Sequence, residues 1–154
     1  MIKIYRNHIP KIKPFPGIVE MLTLIKRKVK LGLVSDGYLK VQQLKLASLQ
    51  LEQYFDAIIF SDQLGRKYWK PSIKPYLKVL DKLEVGKKSA IYVADNPLKD
   101  FKGPNLLGMK SVRVRFKDGN YLHMTPPAVE YLAGETVNSI TKLSEFLENL
   151  LRKE

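Results

Sequence analysis

Cysteine is absent from the 154 residues, and that absence removes disulfides, thiolate zinc sites, iron–sulfur ligation and cysteine nucleophiles together. Histidine is nearly absent: His8 and His123 stand far apart without companion ligands, so both read as surface or packing residues. No stretch approaches the roughly 18–20 apolar residues of a membrane span. The start, Met1-Ile2-Lys3-Ile4-Tyr5-Arg6, lacks the apolar run of a signal peptide. A soluble, cytoplasmic protein is expected. Low-complexity tracts and internal repeats are missing too, and 45% hydrophobic with 27% charged residues excludes collagen-like and disordered chains. The length suits one compact domain over residues 1–154.

Acidic residues are scarce. The 27 Lys and Arg against 15 Asp and Glu give a formal charge of +12, which raises the question of an anionic partner. The cations are mostly Lys and are spread over several segments, without the Arg-plus-aromatic interleaving that base stacking requires. Nucleic-acid binding is therefore disfavoured, and a positive surface suited to small anionic substrates is the better reading.

What is present is an alternation of apolar runs and amphipathic stretches, the pattern of a parallel α/β sheet with crossover helices. After Pro14-Phe15-Pro16-Gly17, a helix is predicted from Ile18 to about Val29, with Ile18, Met21, Leu22, Ile25 and Val29 on one face. A strand, Leu31-Gly32-Leu33-Val34, ends at Ser35-Asp36-Gly37. A helix from about Leu39 to Gln50 turns Leu39, Val41, Leu44 and Leu49 inward and leads to a strand at Ala57-Ile58-Ile59-Phe60. A loop spans Ser61 to Pro71, and Tyr76 to Leu83 reads as helix. Ala90-Ile91-Tyr92-Val93 reads as a fully buried strand, and Ser111-Val112-Arg113-Val114 as a shorter one nearer an edge. A helix from about Asn138 to Leu151, capped by Asn138 or Ser139, closes the chain.

In open parallel sheets, reactive groups gather past the carboxyl ends of the strands. The polar residues there are Ser35 and Asp36, Ser61 and Asp62, then Asp95 and Asn96. Asp95-Asn96-Pro97-Leu98-Lys99-Asp100 puts two carboxylates on one tight loop, a geometry suited to Mg²⁺, although Asp after a strand also serves as turn former or helix cap. Ser35, with Asp36-Gly37 and the next helix's N-terminus, could hold a phosphate or simply act as a cap. Lys70 precedes Pro71, and a proline in the first helical turn would fix that lysine at a helix mouth, although most lysines are merely solvated. Tyr68, Trp69 and Tyr121 could form a substrate wall or serve as packing.

A hydroxyl after one strand, a Lys-Pro before a helix and a two-carboxylate loop after a later strand, in that order, resemble the haloacid dehalogenase-like (HAD) hydrolase superfamily over roughly residues 9–115. Leu31 to Gly37 is similar to the family's second motif, Lys70-Pro71 to its third and Ile91 to Phe101 to its fourth. Pro14 to Ile18 and Tyr54-Phe55-Asp56 are similar to members with a helical cap. The resemblance implies a Rossmann-like three-layer α/β sandwich with a mostly parallel sheet, and Mg²⁺-dependent phosphatase chemistry on a phosphorylated small molecule. In it Ser35 and Lys70 are catalytic, Ser35, Asp36, Gly37 and Lys70 bind phosphate, and Asp95 and Asp100 hold the metal. Ala94 departs from the usual glycine before the metal-site Asp.

The larger departure is an absence. The aspartates stand at 36, 56, 62, 81, 95, 100 and 118, and none forms the Asp-x-Asp pair of the family's first motif, whose first carboxylate attacks phosphorus and whose second is the acid/base. The resemblance also places that motif's strand at the centre of the sheet, so its loss implies a slot and mostly removes the cap, with residues 1–15 a remnant of cap or linker. Met1 to Arg6, a strand from a second copy or direct closure could fill the slot, and strand exchange would make a homodimer. Four expectations follow: a domain inactive in this form; weak Mg²⁺ and phosphate binding; a non-catalytic basic binding or regulatory module as the rival; and an incomplete gene product whose upstream sequence would restore Asp-x-Asp.

Overall fold

A computed structural model describes residues 8–152, as two compact units, Met1–Glu84 and Val85–Glu154. The candidate strand at Met1 to Arg6 lies outside the described residues. Among the described residues every strand pairing is parallel, so the fold is α/β with crossover connections, as the alternation predicted. Among the described residues no helix is long and apolar enough to cross a membrane.

The first unit contains α1 (Ile18–Lys26), β1 (Gly32–Ser35), α2 (Leu39–Leu49), β2 (Ala57–Phe60) and α3 (Lys74–Leu83). β1 pairs with β2 from Gly32↔Ala57 to Ser35↔Phe60. α3 packs on both strands and buries Tyr76, Val79, Leu80 and Leu83. Burial of side chains of this size contributes about 1.5–3 kcal/mol each. Gly32 makes that approach possible: a Cβ there would meet Val79 Cγ2 at 2.7 Å and Leu83 Cδ1 at 2.9 Å. α3 begins two residues before the predicted Tyr76, because Pro75 occupies its first turn, where a fixed φ and a missing N–H cost nothing. Pro71 therefore lies in the preceding turn and not in the helix, which corrects the expected setting of Lys70. The predicted loop from Ser61 to Pro71 is two short 3₁₀ turns, Ser61–Leu64 and Arg66–Tyr68, joined at Gly65 with φ of 100°. In α2 the buried pair is Val41 and Leu46; Leu39, Leu44 and Leu49 are only half-buried.

The second unit contains β3 (Ile91–Ala94), α4 (Lys102–Leu106), β4 (Lys110–Val114), β5 (Glu135–Val137) and α5 (Ile140–Leu151), with strand order β3-β4-β5. Two expectations are corrected here. β4 is the middle strand, with Ser111, Val112 and Arg113 buried, because β5 covers its other side. Glu135-Thr136-Val137 is too short and polar for apolar patterning to reveal it. β3 is not fully buried: among the described residues it pairs only with β4, and Val93 is 36% exposed. Ser139, one of the two predicted caps, accepts from the Lys142 N–H at 3.2 Å. The long connection from β4 to β5 is pinned by side chains. Arg113 Nη2 donates to the carbonyls of Tyr121 (2.9 Å) and Met124 (2.8 Å), and Asn105 Nδ2 donates to those of Glu130 (2.9 Å) and Leu132 (2.7 Å).

Gly32→Ala forces Val79 and Leu83 to shift, and is expected to cost about 1–3 kcal/mol in urea unfolding. An unchanged midpoint would show that α3 does not rest on β1 this closely.

Candidate functional site

In the first unit, the turn after β1 and the loop after β2 are tied by one carboxylate. Asp36 Oδ1 accepts from Ser61 Oγ at 2.7 Å and from the Lys70 backbone N–H at 2.9 Å, and Ser61 Oγ also stands 3.3 Å from the Ser35 carbonyl. Ser61 is fully buried, so its hydroxyl needs such a partner. The structure thus brings Ser35, Asp36, Gly37 and Lys70 together and gives the Asp36 carboxylate a positioning part in that group. Gly37 has φ of 128°, and a Cβ there would lie 2.7 Å from Gln42 Nε2, so the turn requires glycine. Gln42 itself, whose Oε1 accepts from Ser35 Oγ at 3.1 Å, aims the hydroxyl. It sits one turn into α2, where no strand-end pattern marks it.

Asp62 braces the same loop. Its Oδ2 accepts from the Leu39 N–H at 2.9 Å, capping α2 from a distance, and its Oδ1 takes the Trp69 indole N–H at 3.2 Å. The Trp69 ring meets Tyr38 edge-on at 5.5 Å, with Arg66 4.9 Å from the Tyr38 ring centre. Trp69 is thereby a packing residue that fixes the segment entering Lys70. The Lys70–Pro71 peptide is cis.

In the second unit, Asp95 and Asp100 share the loop after β3. Asp95 is exposed, whereas Asp100 is 4% exposed and its Oδ2 accepts from the Asn96 N–H at 3.1 Å. Asn96 Oδ1 accepts from the Leu98 N–H at 2.9 Å, and the Asp100 N–H donates back to the Asn96 carbonyl at 3.1 Å, which closes the turn. The two carboxylates supply hard oxygen donors of the kind Mg²⁺ takes, one or two from the protein with water and phosphate completing its shell, although one Asp100 oxygen already serves the turn. Among the described residues no three His, Asp or Glu side chains gather into a fuller cation site. Across the sheet, buried Arg113 pairs in register with Ala94. Its pKa is lowered chiefly by burial, then by repulsion from Arg115, while the nearby Asp95 charge raises it. His8 and His123 are exposed.

Tyr68 lies between Lys74, 3.7 Å from its ring centre, and Lys67 at 5.0 Å. Hydrogen bonding from Lys74, then from Lys67, lowers its phenol pKa below the ordinary tyrosine value. Any stability from this pairing is present above the ordinary tyrosine range and is lost as pH falls through the folded pKa. Ultraviolet titration, assigned by difference from Tyr68→Phe, should show early ionisation that Lys74→Ala moves back up; an unmoved midpoint would remove the pairing.

The chain resembles known proteins over most of its length. The profile of haloacid dehalogenase-like hydrolases matches residues 1–114. A glyceraldehyde 3-phosphate phosphatase of Methanopyrus kandleri is 33% identical over 116 residues, 75% of this chain and 48% of that protein. A HAD phosphatase from Thermococcus onnurineus superposes with a TM-score of 0.70 at 28% identity, over 86% of this chain and 57% of that one. A Bacillus subtilis HAD hydrolase described as bound to magnesium shares the fold at a TM-score of 0.69 and 17% identity, over 87% of this chain and 55% of that one. The chain spans about half the length of the curated relatives it matches. On the extent of that family match, the protein belongs to the haloacid dehalogenase-like hydrolases.

Proposed function

We propose that this chain is a phosphatase-type HAD core that holds a phosphorylated small molecule with Mg²⁺ but does not itself hydrolyse the ester. One observation carries the proposal: the residue types of three family motifs are present, while none of the seven aspartates forms an Asp-x-Asp pair. In this reading the Ser35 hydroxyl and the N–H groups around Gly37 donate to the phosphoryl oxygens, and the Lys70 ammonium neutralises their charge. Asp36 holds the Lys70 backbone in place through the 2.9 Å hydrogen bond. Asp95 and Asp100 hold Mg²⁺, which when bound supplies Lewis-acid stabilisation of phosphoryl charge. The magnesium described for the Bacillus subtilis protein supports the choice of metal. Relatives named glyceraldehyde 3-phosphate phosphatase support a small phosphorylated aldehyde or sugar as the ligand class. Without an attacking carboxylate and its acid/base neighbour, both covalent steps lose their agents.

A second reading, a non-catalytic basic module for larger anions, is supported by Arg66, Lys67 and Lys74 ranged about the Tyr38 and Tyr68 rings. Hydrolysis of para-nitrophenyl phosphate with Mg²⁺ separates the readings. The core reading expects no turnover above that of Asp95→Asn, together with phosphate binding that Lys70→Ala weakens. Turnover that Asp95→Asn abolishes would overturn the inactivity, and salt-sensitive nucleic-acid binding without phosphate binding would favour the module.

A further inference from the structure

The second unit carries a cavity of about 330 Å³ at the carboxyl ends of β4 and β5, lined by Arg115, Leu122, Thr136, Val137, Asn138 and Lys142. Two of these side chains are cationic, two are neutral hydrogen-bonding groups, and none is acidic. We propose that this cavity binds an oxyanion, inorganic phosphate or the phosphoryl group of a small ester, independently of the Ser35–Lys70 site.

Arg115 is the part of the lining held in place before any ligand arrives. The Arg115 backbone N–H donates to the Val137 carbonyl at 2.8 Å, fastening the end of β4 to the end of β5. Its guanidinium is fixed from one side, with Nε (3.3 Å) and Nη2 (2.9 Å) both donating to the Leu122 carbonyl. A guanidinium has five N–H donors, so further donors remain, and no carboxylate among the described residues pairs with them. Lys142 uses only its backbone N–H, on the Ser139 hydroxyl, and its ammonium has no partner among the described residues. The side chains of Thr136 and Asn138 likewise have none.

Unbalanced charge gives the site its sign. Arg115 repels buried Arg113, and the Asp95 charge opposes that effect. An anion set against Arg115 relieves this repulsion and gains charge-assisted hydrogen bonds from guanidinium and ammonium. Two cations match a phosphate dianion better than a carboxylate, and the volume lies at the lower end of small-molecule sites, enough for a phosphoryl group with a short organic tail. Ser35 and Lys70 belong to the first unit and the cavity's lining to the second, so the two anion sites draw on different residues.

The test is a titration of the full ¹⁵N-labelled chain with inorganic phosphate, without Mg²⁺ and at constant ionic strength set by chloride. Saturable shifts are expected at the amides of Thr136, Asn138 and Lys142, with a Kd of about 1 mM or tighter. Lys142→Gln, which breaks no contact among the described residues, should weaken this binding roughly tenfold, while Lys70→Ala leaves it unchanged. Shifts confined to residues 35–37 and 70, shifts that do not saturate, or shifts that Lys142→Gln does not alter would each overturn the proposal. A site in the second unit that persists in Lys70→Ala also separates this inference from the proposed function, since either can fail alone.

Discussion

The Asp36 carboxylate is the joint on which the first unit's candidate site depends. One of its oxygens receives both the buried Ser61 hydroxyl and the Lys70 N–H, so the turn after β1 and the loop after β2 cannot move separately without exposing a charged acceptor or stranding a buried donor. Hydrogen bonds to a charged group are worth about 1.5–3 kcal/mol, which exceeds what solvated loop residues ordinarily contribute. Asp62, Trp69 and Tyr38 then stiffen the same loop from outside. A lysine entering from such a loop arrives with its backbone already held, which lowers the entropy of any phosphate contact it makes.

Strand edges are the second constraint. Among the described residues β1 pairs only with β2 and β3 only with β4. Neither Gly32-Leu33-Val34-Ser35 nor Ile91-Tyr92-Val93-Ala94 carries the charge or proline by which exposed edges usually discourage further pairing. Their composition is that of strands built to be flanked on both sides. In the second unit, buried Arg113 and half-buried Asn105 instead hold a long connection against the sheet through main-chain carbonyls, so polar side chains do there what apolar packing does around α3.

Most of this fold is legible in the sequence, and the exceptions share a cause. Helices and strands with apolar periodicity, such as α3 and β2, stand where the pattern places them, give or take one turn. β5 escaped because three residues with one buried side chain carry no period. α4 escaped because its five residues, Lys-Gly-Pro-Asn-Leu, have poor helix propensity and are set by their surroundings. The exposure of β3 could not be read at all, since an uncharged apolar run looks the same with one neighbour or two. The strand-end rule singled out Ser35, Asp36, Ser61, Asp95 and Asn96 as candidates, while Gln42 and Arg113 make contacts that local spacing does not encode. Asp62, picked out by position, proves to be a distant helix cap.

That Asp36 assembles the proposed phosphate site is the central claim, and amide exchange in Asp36→Ala, read with and without inorganic phosphate, tests it most directly. The predicted result is Lys70 amide exchange at least about tenfold faster, the loss of at least 1.4 kcal/mol, together with loss of the phosphate response at Ser35 and Gly37 while the second unit is unchanged. Wild-type exchange at Lys70 with an intact phosphate response would contradict it.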